Sequence, residues 1–271
     1  MDNHFEENAL SWGIGGAEWL RHLPEMIADY ENKWSFKAQS PFDLNYNYVA
    51  PAELNNGSKA VIKIGYPEDR EFQSEIAALQ TFSGEGICRL LEVDQKHAVM
   101  LLERVLPGTP LAEVEDDESA TRIIASVMKE LHKPLSETHN FITVTEWVTA
   151  IPEYKAKHGN NGELPIYLVD KAEKLFEQLI ATSAKPVLLH GDLHHHNVLH
   201  SEESGWIAID PKGVSAEPAY EVAAMIRNPY DKLKEITDLD PLLQQRIVIL
   251  SGELGIDAGR IRDWCFAQCI L

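Results

Sequence analysis

The segment His190-Gly-Asp-Leu-His-His-His-Asn197 lies between two short apolar runs, Val187–Leu189 and Trp206–Ile209, and an acid, Asp210, closes the second run. Such runs read as strands, so the polar segment is a loop held between them. Asn197 follows Asp192 by five positions, and Asp210 stands eighteen beyond Asp192. That spacing meets the demands of phosphoryl transfer. One carboxylate orients a substrate hydroxyl and accepts its proton, while an amide oxygen and a second carboxylate hold the metal ion that bridges nucleotide phosphates. Asp192 takes the first role, and Asn197 and Asp210 take the others.

Such a loop needs a second body to hold the nucleotide, and 271 residues suffice for roughly two domains of about 150 residues. The first third is strand-rich. A helix with Trp19, Leu20, Leu23, Met26 and Ile27 on one face is expected over 16–30, turned or kinked at Pro24. Short strands follow at 34–37 and 47–50, and Lys59–Ile64 alternates like a strand after an Asn-Asn-Gly-Ser turn. Pro67-Glu68-Asp69 starts a helix carrying Phe72, Ile76 and Leu79, and 97–105 reads as a buried strand. Leu106-Pro107-Gly108 reads as a hinge. Beyond it the apolar spacing is mostly helical, including everything from Glu217 onward. The expectation is an α+β chain of two lobes, 1–104 binding nucleotide and 105–271 carrying catalysis and substrate.

The first lobe must supply a phosphate-pairing cation. Val61-Ile-Lys63 matches the lysine strand of protein kinases, and Glu75 on the next helix is its ion-pair partner. The loop matches the kinase H-R-D-L-x-x-x-N signature at His190, Asp192, Leu193 and Asn197, with Gly191 in place of Arg. With Asp-Pro-Lys-Gly at 210–213, the chain resembles the aminoglycoside phosphotransferases, small-molecule relatives of the protein kinases. The stretches GAEWLRHLP, LLERVLPGTPL, HGDLHHHNVL, IDPKG and EPAYEVA resemble the aminoglycoside 6-phosphotransferase and hydroxyurea kinase group over nearly the whole chain. The resemblance implies a protein-kinase-like fold using ATP and Mg²⁺, with Asp192 as base and Asn197 and Asp210 as metal ligands. It also implies Lys63 and Glu75 at the α/β-phosphates, and adenine against the backbone of Glu103 and Val105. No glycine-rich loop precedes the lysine strand. In its place Asn45 and Asn47, in left-handed conformations, are expected to offer amides to phosphate.

The balance of 43 acidic and 24 basic residues gives a formal charge of −19. That argues against nucleic acid and suits a cationic small molecule, although solubility alone also accounts for an acidic surface. Glu217 and Glu221 are candidate acceptor-site acids, with helix capping as the competing reading. His190 is expected to brace the loop, His194 to lie near the phosphates or just behind the groups that touch them, and His195 and His196 to pack or lie at the surface. A kinase acting on an unrelated metabolite hydroxyl remains an alternative, as does a metal-dependent hydrolase using His190, Asp192 and His194. Cys265 and Cys269 sit at i, i+4 without further ligands and read as buried hydrophobes. No signal peptide or run of 18 apolar residues is evident, so a cytoplasmic enzyme off the membrane is expected. The apolar finish at Cys269-Ile-Leu271 suggests that a short tail is missing.

Overall fold

The computed structural model describes residues 3–136 and 139–271, and the chain separates into two units, Met1–Leu106 and Pro107–Leu271. The first opens with helices α1 (Asn3–Ser11) and α2 (Gly13–Trp34). The second of these runs through Pro24 and past the expected end, so that Trp34 belongs to helix and not to strand. It stops at Ser35, which turns left-handed at φ 55°. A five-stranded antiparallel sheet follows, in the order β1-β2-β3-β5-β4. Its strands are β1 (Phe36–Ala38), β2 (Tyr48–Leu54), β3 (Lys59–Ile64), β4 (Leu90–Asp94) and β5 (Val99–Glu103). Between β3 and β4 lies α3 (Arg70–Phe82), whose N-cap Asp69 accepts from the Glu71 amide at 2.9 Å. Phe5, Trp19 and Leu23 of the helices pack on Ile62, Ile64 and Leu101 of the sheet, burying its alternate side chains in one core.

The second unit starts at Pro107-Gly108. This pair begins β6 (Pro107–Pro110), the edge of a three-stranded sheet ordered β11-β10-β6, where a proline's missing N–H costs no ladder bond. The helix α4 (Asp117–Leu131) follows, capped by Asp116. Next come β7 (Lys133–Pro134) and β8 (Ile142–Thr143), then the helices α5 (Val144–Val148), α6 (Ala150–His158) and α7 (Ile166–Ala181). The strands β9 (Val187–Leu189), β10 (Val198–Ser201), β11 (Gly205–Ala208) and β12 (Val214–Ala216) bracket the polar loop. A second sheet in this unit is ordered β7-β9-β12-β8. Four helices close the unit: α8 (Pro218–Ile226), α9 (Tyr230–Leu233), α10 (Asp240–Leu254) and α11 (Ala258–Gln268). Phe176, Tyr220 and Trp264 fill the space beneath β9 and β12. Among the described residues no helix is long and apolar enough to cross a membrane.

Candidate active site

In the first unit Lys63 points inward from β3 and meets Glu75 of α3, with Nζ 2.6 and 2.7 Å from the two carboxylate oxygens. Both residues are 5% exposed. A buried ion pair is retained only where its geometry is good, since neither charge keeps its water. This one fixes the ammonium on the sheet. Gly65 lets the backbone pass close to α3, because a Cβ there would stand 2.2 Å from the Phe72 ring.

The rest of the expected nucleotide set is less uniform. The Glu103 amide donates to the Arg89 carbonyl at 2.8 Å, and the Glu103 carboxylate pairs with the Arg89 guanidinium. That amide and side chain are therefore committed within the unit. The ladder with β3 ends at Glu103, which leaves the backbone of Val105 beyond it. Asn45 and Asn47 are not left-handed, contrary to expectation; among the described residues the non-glycine positions at positive φ are Ser35, Ser83, Ala98 and Asp210. Asn45 instead accepts from the Asn8 amide through its side-chain oxygen at 2.8 Å and its carbonyl at 3.1 Å. The loop is thus tied to α1, a helix with only Phe5 and Ala9 buried on its inner face.

In the second unit His190 gathers the loop. Its Nε2–H donates to the Ile209 carbonyl at 2.8 Å, and Nδ1 accepts from the Asp192 amide at 3.2 Å. Its own carbonyl accepts from the amides of Lys212 and Gly213. One imidazole therefore holds the Asp192 turn against the strand that leads to Asp210. Both ring nitrogens are occupied by backbone, which removes His190 from the hydrolase reading. Among the described residues no three His, Cys, Asp or Glu side chains converge as a metal site. His194 stands 3.9 Å from Asp192 through Nε2 and accepts from the His196 amide through Nδ1.

Gly191 replaces the kinase arginine for a steric reason. Its φ is 88°, and a Cβ would stand 2.4 Å from a Val214 methyl group on β12. Asn197 donates through Nδ2 to the Asp192 carbonyl at 3.0 Å, which leaves Oδ1 as its free polar atom. Its carbonyl accepts from the Ile209 amide, one residue before Asp210. Asp210 itself is left-handed at φ 61°, a conformation an Asp tolerates better than most residues and one often found at functional sites. An amide oxygen and a carboxylate suit a hard cation such as Mg²⁺, which takes one or two protein carboxylates and completes its shell with water and phosphate.

Glu217 and Glu221 are not available to a substrate, a correction to the sequence reading. Glu217 is 3% exposed and is bound by Arg260 and by the Trp264 indole N–H. Glu221, 1% exposed, accepts the amides of His190 at 2.7 Å and Gly191 at 2.9 Å. It anchors the catalytic turn from α8. In the sequence it looks like any helical acid, because its partners lie some thirty residues earlier. The cysteine pair also differs from expectation: Cys265 is half-buried, its thiol pushed up to about 12 by burial, whereas Cys269 is exposed.

His190 and Glu221 oppose each other in their response to pH. Burial lowers His190 from 6.5 to about 4, so its contribution is present above 6.5 and is lost as pH falls through 4. Burial raises Glu221 from 4.5 to about 7 against the pull of the amides of Gly191, His190 and Leu193, so its contribution is present below 4.5 and is lost as pH rises through 7. Replacing His190 with Gln should remove the first dependence and keep the second. The stability of the variant relative to wild type is expected to rise by about 3 kcal/mol between about pH 7 and 4. Denaturant unfolding across that range measures it, and parallel curves for the two proteins would contradict the assignment.

The fold is one already known. An aminoglycoside phosphotransferase from Streptomyces rimosus, solved with ADP and streptomycin, superposes with a TM-score of 0.64 at 18% identity, covering 92% of this chain and 98% of that one. The fold is therefore the protein-kinase-like one. Residues 36–271 match the sequence profile described as aminoglycoside/hydroxyurea antibiotic resistance kinase. The chain belongs to that family. It is 27% identical to a streptomycin 6-kinase of Streptomyces griseus, over 99% of this chain and 88% of the relative. It is 28% identical to a hydroxyurea phosphotransferase of Kitasatospora aureofaciens, over 95% of this chain and 74% of the relative.

Proposed function

We propose that this kinase transfers the γ-phosphoryl group of ATP to a hydroxyl of a cationic aminocyclitol antibiotic of the streptomycin type, in the cytoplasm. The observation that carries the reading is the loop stitched by His190, which sets Asp192, Asn197 and Asp210 on one continuous hydrogen-bonded frame. Lys63, held by Glu75, offers its ammonium to the α/β-phosphates, and the backbone at Glu103 and Val105 takes the adenine. Asn197 Oδ1 and the Asp210 carboxylate hold Mg²⁺. When bound, the ion supplies positive charge against the phosphate oxygens. Asp192, its side chain 30% exposed, orients the acceptor hydroxyl and takes its proton as the new P–O bond forms and the bond from the γ-phosphorus to the β-phosphate oxygen breaks, releasing ADP. Positioning and electrostatics supply most of the acceleration, since phosphoryl transfer leaves the protein little covalent chemistry to perform.

The charge of −19 favours a cationic acceptor over neutral hydroxyurea, and it makes Lys63 and Mg²⁺ the local counter-charges for ATP. The test is ADP release, with and without Mg²⁺, against streptomycin, other aminocyclitols, hydroxyurea and simple amino-alcohols. Streptomycin or a related aminocyclitol is expected to give the largest stimulation, abolished by a chelator. Stimulation by hydroxyurea alone, or by a neutral or anionic metabolite alone, would overturn the acceptor assignment.

A further inference from the structure

Behind the catalytic loop, on the second unit, lies a cavity of about 180 Å³ that the proposed reaction does not use. His195 forms part of its lining and is 2% exposed. Neither Nδ1 nor Nε2 of that ring has a hydrogen-bond partner among the described residues. A neutral imidazole carries one donor and one acceptor, and burying both without partners is unfavourable.

Of the other polar groups around the cavity, Arg246, Asp117 and Lys232 are already served. Arg246 pairs with Asp117 through Nε at 3.0 and 3.1 Å, and it also donates to the carbonyls of Ile226 and Asn228. Lys232 donates to the Ala112 carbonyl. The walls contributed by Val114, Leu233 and Leu242 are apolar, and exposed residues, Glu115 and Ile236, stand among the rest of the lining. Buried, unmet polarity thus falls on one ring in a pocket whose open surface is mainly apolar. An engineered apolar cavity of about 150 Å³ admits benzene, so the volume suits a single ring.

We infer that this cavity is a second small-molecule site, taking a neutral single-ring compound whose hydroxyl hydrogen-bonds one ring nitrogen of His195. The lining shares no residue with the nucleotide, metal and proton-transfer groups described above, and the site bears on the catalytic loop through His195, whose carbonyl accepts from the Ala112 amide at 3.1 Å.

Phenol is the probe, titrated into the whole chain by calorimetry, with benzene as the apolar control. Saturable phenol binding is expected, weakened at least about tenfold by His195→Leu, with benzene binding unchanged. Ile236→Trp, at a position 39% exposed and so tolerant of change, narrows the pocket and should weaken both compounds. That variant carries the comparison if His195→Leu does not fold. No saturable binding of phenol, phenol bound equally by wild type and His195→Leu, or binding indifferent to Ile236→Trp would each overturn the site. So would a crystal soaked in phenol that shows only ordered water on the two ring nitrogens.

Discussion

Replacing Asp192 with Asn is expected to lower turnover by about a hundredfold or more while leaving the fold intact. The carboxylate is partly open to solvent, and what the loop needs from this residue comes from its backbone: the amide donates to His190, and the carbonyl accepts from Asn197. Asparagine keeps both. It loses the base that takes the acceptor's proton, so the loss should fall on kcat, with little change in the KM for ATP. Thermal unfolding run beside the kinetics separates the two possibilities. A variant that turns over like wild type would remove Asp192 from the chemistry.

Lys63→Met should reduce both stability and turnover, for different reasons. The substitution leaves Glu75 buried at 5% exposure without its partner ammonium, and removing one member of a buried pair typically costs about 3–5 kcal/mol. Turnover should fall by about a hundredfold, as when one preorganised charge contact to a transferring group is removed. A double variant, Lys63→Met with Glu75→Leu, distinguishes the effects. Two apolar side chains of similar volume can replace a buried pair at little cost, so unfolding should return to within about 1 kcal/mol of wild type. Turnover should stay low. Recovery of both would mean that the lysine serves only the fold.

The parts of the molecule legible in the sequence are those with strong local signals. Lys59–Ile64 alternates, follows a turn, and forms β3 over those same residues. The Asp69 cap and the Phe72, Ile76 and Leu79 face announce α3. The polar loop was readable because its chemistry is compressed into eight residues between apolar runs. Other elements carry weak or misleading local signals. The helix α1 buries only Phe5 and Ala9, too narrow a stripe to stand out in an acidic stretch. The edge strand β4 leaves much of its surface open, so no apolar run marks it. Pro107-Gly108 has turn chemistry, but pairing with β10 makes it a strand. Long-range partners defeated the reading of the acids. Glu217 meets Arg260 and Trp264, and Glu221 meets the His190 turn. No local pattern distinguishes those two glutamates from exposed ones.

The central claim is that this loop moves a γ-phosphoryl group from ATP to a hydroxyl, with Asp192 as the base. Mass spectrometry of the acceptor that most stimulates ADP release, after incubation with ATP and Mg²⁺, tests it directly. The account predicts one added phosphoryl group on the acceptor with wild-type protein, and almost none over the same time with Asp192→Asn. ATP consumed without a phosphorylated acceptor, or equal product from the two proteins, would contradict it.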